Sequence, residues 1–138
     1  MSLRLLFVVD RGTDVRLVDE LAMRTELRVL ARTIPGGRVV SQQTRHEPQV
    51  EIGPSGHAAF ASFAARRILT LRRQTDVVVV QGYGPTAAVV NLAARLAGVR
   101  ASMLVCSPVE AYYRCRSLPH STRRFSASPK AMIVRAPP

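Results

Sequence analysis

Read from its amino end, the chain alternates between short unbroken apolar runs and longer stretches whose apolar residues recur at helical spacing. "LRLLFVVD", Leu3 to Asp10, is apolar and β-branched and closes on a turn signal, the pattern of a strand buried on both faces. After "RGTD", Asp14 is placed to cap a helix with Leu17, Val18, Leu21 and Ala22 on one side and Arg16, Asp19 and Glu20 on the other. "ELRVLAR", Glu26 to Arg32, predicts a second strand, ended by "IPGG".

From Val39 to Pro54 the pattern is polar and broken, with weak extended signals at Val39-Val40 and at Val50 to Ile52. Ser55 to Gln74 then gathers Phe60, Phe63, Ala64, Ile68 and Leu71 on one helical face, with Arg66 and Arg73 away from it. A strand "DVVVVQ", a helix "TAAVVNLAARLAG" stopped at Gly98, and a strand "ASMLVC" follow. This order predicts one α/β domain: a Rossmann-like, open, mostly parallel sheet with helices on both faces, joined by right-handed crossovers. Residues 1–116 carry that pattern. Residues 117–138, rich in Ser, Pro and Arg, show no sustained period and read as a disordered basic tail.

Composition refines this picture. With 138 residues and 47% hydrophobic content the chain can bury one core. Residues up to Glu110 hold fourteen Arg and nine acids; those after it hold five Arg, Lys130 and no acid, so about half of the net charge of +11 sits in the last fifth. Such a charge attracts phosphates, anionic lipid or acidic partners. The Arg residues of the core are scattered without interleaved aromatics, which favours a compositional origin over a built phosphate surface.

Cys106 and Cys115 form neither a disulfide framework nor a zinc motif, and a reduced, cytoplasmic setting fits them best. The apolar run Leu5 to Val9 is too short for a signal-peptide core, and Val77 to Ala94 is interrupted by Gly82, Gly84 and Pro85, so it makes a poor membrane span.

In an open parallel sheet the ligand crevice lies beyond the carboxyl ends of the strands. Three loops would open there: Asp10 to Asp14, Gln81 to Pro85, and Ser107 to Tyr113. The Gly82-Tyr83-Gly84-Pro85 turn precedes a helix start, which suits an anion or a sugar hydroxyl and equally suits a plain tight corner. In "DRGTD" the acids favour capping over phosphate contact. Ser107, Glu110, Tyr112, Tyr113 and Arg114 combine aromatics with a carboxylate, the means of stacking on a sugar and accepting its hydroxyls, or of packing a helix. His46, His57 and His120 have no partner at metal or triad spacing and read as solvated residues. No metal or cofactor is expected, and no phosphate-binding loop or dinucleotide fingerprint is present.

Together "LRLLFVVD", "DVVVVQGYGPTAAVVNLAARLAGVRASMLVCSP" and "EAYYRCR" resemble the N-terminal half of a group 1 glycosyltransferase, the retaining family 4 type of the two-domain GT-B fold. The resemblance covers roughly Leu3 to Arg116. It implies an acceptor-binding domain for a sugar or glycolipid, whose nucleotide-sugar donor is held by a second domain through a Glu-x(7)-Glu region. By it, Gly82, Tyr83, Gly84, Ser107, Glu110 and Tyr112 would face the acceptor and Gly12 the donor phosphates; no catalytic residue is implied within these residues.

Arg11-Gly12-Thr13 stands where many members carry a Gly pair, and since the resemblance stops near Arg116 the second domain is expected to be missing. A truncated or frame-shifted product, inactive alone, prone to self-association and cytoplasmic or peripheral to the membrane, is the expectation. The alternative is a small basic α/β module whose Arg-rich tail contacts nucleic acid or anionic membrane weakly and without sequence preference. A flavodoxin-like nucleotide binder shares the architecture but would need a phosphate loop.

Overall fold

A computed structural model describes residues 2–11, 13, 15–35 and 48–105. Its elements are β1 (Leu3–Val9), α1 (Val15–Arg24), β2 (Thr25–Arg32), β3 (Gln49–Gly53), α2 (His57–Leu71) with a 3-10 turn Arg72–Gln74, β4 (Val77–Gln81), α3 (Pro85–Ala97) and β5 (Arg100–Leu104). The five strands form one sheet in the order β3-β2-β1-β4-β5, every neighbouring pair parallel. This is the Rossmann-like α/β architecture that the alternating pattern predicts.

β1 lies at the centre and pairs on both sides, Phe7 with Val29 of β2 and with Val79 of β4. That position explains its unbroken apolar run: alternate side chains go to opposite faces and both faces are covered. Leu6 and Val8 join the core under α2 and α3, while Leu5, Phe7 and Val9 join the core under α1.

α1 buries Val18 and leans Leu17, Leu21 and Ala22 on the sheet, as its stripe predicts. α2 buries Phe60, Ala64, Ile68 and Leu71, and Phe63 packs at the edge of that core. Gly53, ending β3, lets the rings approach: a Cβ there would stand 2.6 to 2.8 Å from ring carbons of Phe60 and Phe63. α3 ends at Gly98 (φ 70°), where the N–H groups of Gly98 and Val99 close on the carbonyls of Arg95 and Ala94.

The structure sharpens several boundaries. The weak signal at Val50 to Ile52 is the edge strand β3, and the long helix predicted for Ser55 to Gln74 tightens into a 3-10 turn after Leu71. Asp14, Val39-Val40, Cys106, Cys115 and the tail 117–138 lie outside the described residues.

Because α2 and α3 each follow a strand of the same parallel sheet, both begin at its carboxyl edge and run toward its amino edge. The chain turns from building toward β3 to building toward β5 between β1 and β4, the switch point beyond which an open parallel sheet places its ligand.

Candidate functional site at the carboxyl edge

Asp10 directly follows β1, and three other elements reach its carboxylate. Arg32, the last residue of β2, donates from Nε to Oδ1 at 2.6 Å and to the Asp10 carbonyl at 2.8 Å. His57, the first residue of α2, sets Nδ1 at 3.1 Å from both carboxylate oxygens. Thr86, in the first turn of α3, donates from Oγ1 to Oδ2 at 2.9 Å. The Arg32 guanidinium also donates to the Ser55 carbonyl, holding the loop that leads into α2.

Burial differs sharply within this cluster. The Asp10 and Arg32 side chains are only 15% and 12% exposed, whereas the His57 ring is 60% exposed. Asp10 and Arg32 therefore form a shielded, charge-assisted pair, and the carboxylate fixes the His57 ring by one nitrogen. Nε2 is then the ring nitrogen left to a ligand. Three residues after Asp10 in the chain, Thr13 Oγ1 is shielded from solvent and has no hydrogen-bond partner among the described residues.

The Gly-Tyr-Gly turn borders this cluster through α3. Gly82 extends the ladder by donating to the Leu104 carbonyl at 2.9 Å, and Gly84 caps α3 through its carbonyl, which accepts from Ala88. Both glycines have positive φ, 97° and 114°. A Cβ on either would meet nothing within 4 Å among the described residues, so it is backbone conformation and not crowding by them that requires glycine. Pro85 then occupies the first helical position, where its missing N–H costs nothing.

The first loop holds two acids: Asp14, the predicted cap, lies outside the described residues, while Asp10 is the acceptor at which β2, α2 and α3 meet. His57 is exposed, as its place beside a loop suggests, yet it has a partner 47 positions away that no spacing disclosed. Gly82, Tyr83 and Gly84 lie at the carboxyl edge; Gly12, Ser107, Glu110 and Tyr112 lie outside the described residues. Sequence reasoning missed Arg32 and Thr86 altogether. The signal available was a charged or hydroxyl residue at a strand's carboxyl end or a following helix start in all four cases.

At the opposite, amino edge, an open depression of about 480 Å³ is lined by Ser2, Leu3, Arg72, Thr75, Asp76, Gly98, Val99 and Arg100. Its chemistry is structural. Arg4 Nη2 and Nε bind Asp76 at 2.7 and 3.2 Å, the Arg4 N–H donates to Asp76 Oδ2, and the Asp76 N–H donates to the Arg4 carbonyl. These bonds from Arg4 hold the Asp76 carboxyl down at about 2 and raise the Arg4 guanidinium further. Among the described residues no group of three or more His, Cys, Asp or Glu is placed to hold a metal ion.

No protein-family model matches the chain, and no curated protein matches it by sequence. Solved structures do match in fold. The C-terminal domain of a Pyrococcus furiosus hydrogenase superposes with a TM-score of 0.58 at 11% identity, over 75% of this chain and 92% of that domain. A Listeria monocytogenes protein assigned as a UDP-N-acetylglucosamine 2-epimerase superposes with a TM-score of 0.52 at 15% identity, over 91% of this chain and 36% of its own. The chain thus spans about a third of the epimerase. Two such different chemistries on one scaffold establish the Rossmann-like fold and leave function to the site.

Proposed function

We propose that the chain is the acceptor-binding half of a sugar-transferring enzyme of the GT-B type, resembling the retaining family 4 group, with residues 1–116 as its domain and the carboxyl edge as its ligand face. The observation that carries this reading is the meeting of Asp10, Arg32, His57 and Thr86, drawn from four elements, beside the Gly-Tyr-Gly turn at the switch point of the sheet. A sugar acceptor is a polyol. It needs donors and acceptors fixed in direction, which the anchored His57 imidazole and the backbone groups of the Gly-Tyr-Gly turn supply. The fold likeness to a protein assigned as a nucleotide-sugar epimerase agrees with this reading without specifying it.

In this assignment Asp10 positions His57 and does not itself meet substrate, since Arg32, His57 and Thr86 already occupy its oxygens. Gly82, Tyr83 and Gly84 border the acceptor, with Ser107, Glu110 and Tyr112 assigned to the same side and Gly12 to the donor phosphates. Stabilising the diphosphate leaving group would fall to a donor-binding domain supplied from beyond these residues.

The test is a backbone-amide NMR titration of the chain with N-acetylglucosamine, mannose and UDP-N-acetylglucosamine. Shifts centred on His57, Gly82 to Gly84 and Thr86 are expected. Shifts confined to Arg123, Arg124 and Lys130 on adding single-stranded DNA, with none from any sugar, would replace this reading with the basic-module one.

A further inference from the structure

The Arg4–Asp76 pair does not use every group that lines the amino-edge depression. At about 480 Å³ this hollow is in the size range of small-molecule sites, and it is walled by the starts of β1, β4 and β5 and by the residues that follow α2 and α3. Three of its side chains are left over. Arg72 and Arg100 are exposed, and neither forms a salt bridge among the described residues. Thr75 is only 9% exposed, and its hydroxyl has no hydrogen-bond partner among the described residues. So shielded a hydroxyl is costly to leave unpaired unless a ligand pairs it.

The acceptors of this edge are, by contrast, engaged. Both Asp76 oxygens accept from Arg4, at 2.7 Å to Oδ1 and 3.2 Å to Oδ2. Carbonyls near the helix ends that would otherwise repel an anion accept as well: Arg73 from Arg4 Nη1, Ala94 from the Val99 N–H and Arg95 from the Gly98 N–H. Asp76, and after it Glu26, raise the Arg4 guanidinium, so the field of both acids falls on that arginine, while Arg100 acts on Asp76 only at a distance. Satisfied acceptors beside spare donors make a place for an anion. Two guanidinium forks and a hydroxyl match the three free oxygens of a phosphate monoester. The hollow is larger than that group, and Leu3 and Val99 give the remainder an apolar wall.

We infer that the amino-edge depression is a binding site for a small phosphate monoester, its phosphate held by Arg72, Arg100 and the Thr75 hydroxyl and its organic part set against Leu3 and Val99. The inference is independent of the sugar site, because the depression lies at the other edge of the sheet from the Asp10 cluster.

The experiment is a backbone-amide NMR titration of the full chain, at fixed ionic strength, with glycerol 3-phosphate, inorganic phosphate and glycerol. Saturable shifts at Thr75, Asp76 and Gly98 to Arg100 are expected from both phosphates, tighter for the ester, with none from glycerol. Arg72→Gln and Arg100→Gln should each weaken binding by about tenfold, and because both side chains are exposed the fold should survive their loss. Thr75→Val should weaken it several-fold, while Thr75→Ser, which keeps the hydroxyl, should not. Arg66→Gln, exposed on α2, removes the same charge elsewhere and should leave binding unchanged.

Shifts that grow without saturating, or that are confined to Arg123, Arg124 and Lys130, would overturn the inference. So would a loss of affinity no greater in Arg100→Gln than in Arg66→Gln. An absence of shifts at Thr75 and Gly98 in the parent chain would overturn it too, by showing that the two arginines are closed to phosphate.

Discussion

Two carboxylates at opposite edges of one sheet, Asp76 and Asp10, are both bonded to arginine, and they do different work. Among the described residues Asp76 exchanges its hydrogen bonds with Arg4, main chain and side chain together, so it staples the starts of β1 and β4. Asp10 takes its contacts from β2, α2 and α3, so it sets where two helices begin relative to the central strand. The first geometry joins neighbours in the sheet; the second brings exposed groups to one point. A carboxylate that gathers many elements marks a site better than one that binds a single cation tightly.

That contrast can be broken by substitution. Asp10→Ala should have the largest effect, because it strands the shielded Arg32 guanidinium and frees His57 and Thr86 together. A loss of about 2–4 kcal/mol is expected, a fall in Tm of roughly 10 °C by calorimetry. A melting temperature unchanged from the parent would show that Asp10 is no hub.

Gly84→Ala comes next. A φ of 114° with ψ near −164° is a region that only glycine occupies at low cost, so about 1–3 kcal/mol should be lost with the shift of the α3 start. The damage should show in NMR shifts at Thr86 and Asp10 and spare the Asp76 edge.

Asp76→Asn should act mainly through pH. The folded carboxyl sits at about 2, below its ordinary value of 3.8, so its bonds to Arg4 stabilise the fold fully above about pH 4. That stability is lost as pH falls from about 4 through 2, and the variant should flatten the acid limb of a stability profile over that window. Since both partners are partly exposed, high salt should shrink the difference. An acid limb identical in parent and variant would remove Asp76 from the account.

His57→Ala should cost least in stability, under about 0.5 kcal/mol, because its ring is largely in solvent. Its effect belongs to ligand binding, and sugar-induced shifts at Gly82 to Gly84 should weaken. If stability fell as far as for Asp10→Ala, His57 would be a structural strut and not a ligand group.

The fold was legible because each element carries its own period. Leu5 to Val9 reads as doubly buried without knowledge of its neighbours, and Phe60, Ala64, Ile68 and Leu71 share a face by arithmetic alone. The Asp10 cluster was not legible, since its members stand 22, 47 and 76 positions from Asp10 and meet only because β1 lies between β2 and β4. Nothing local to His57 announces a partner at the end of a strand two places away in the sheet. Gly82 and Gly84 fall between these cases: their turn is plain in the sequence, while their reason, a positive φ, is a property of the folded backbone.

The placement of β1 carries a further consequence, for the order in which the molecule comes apart. Its amides are bonded into a strand flanked on both sides and covered on both faces, so they should exchange with deuterium only through global unfolding, while the edge strands β3 and β5 release theirs through smaller openings. Asp10 is attached to the end of that slowest segment. The groups that surround it can loosen and return, and the carboxylate to which they return stays in place.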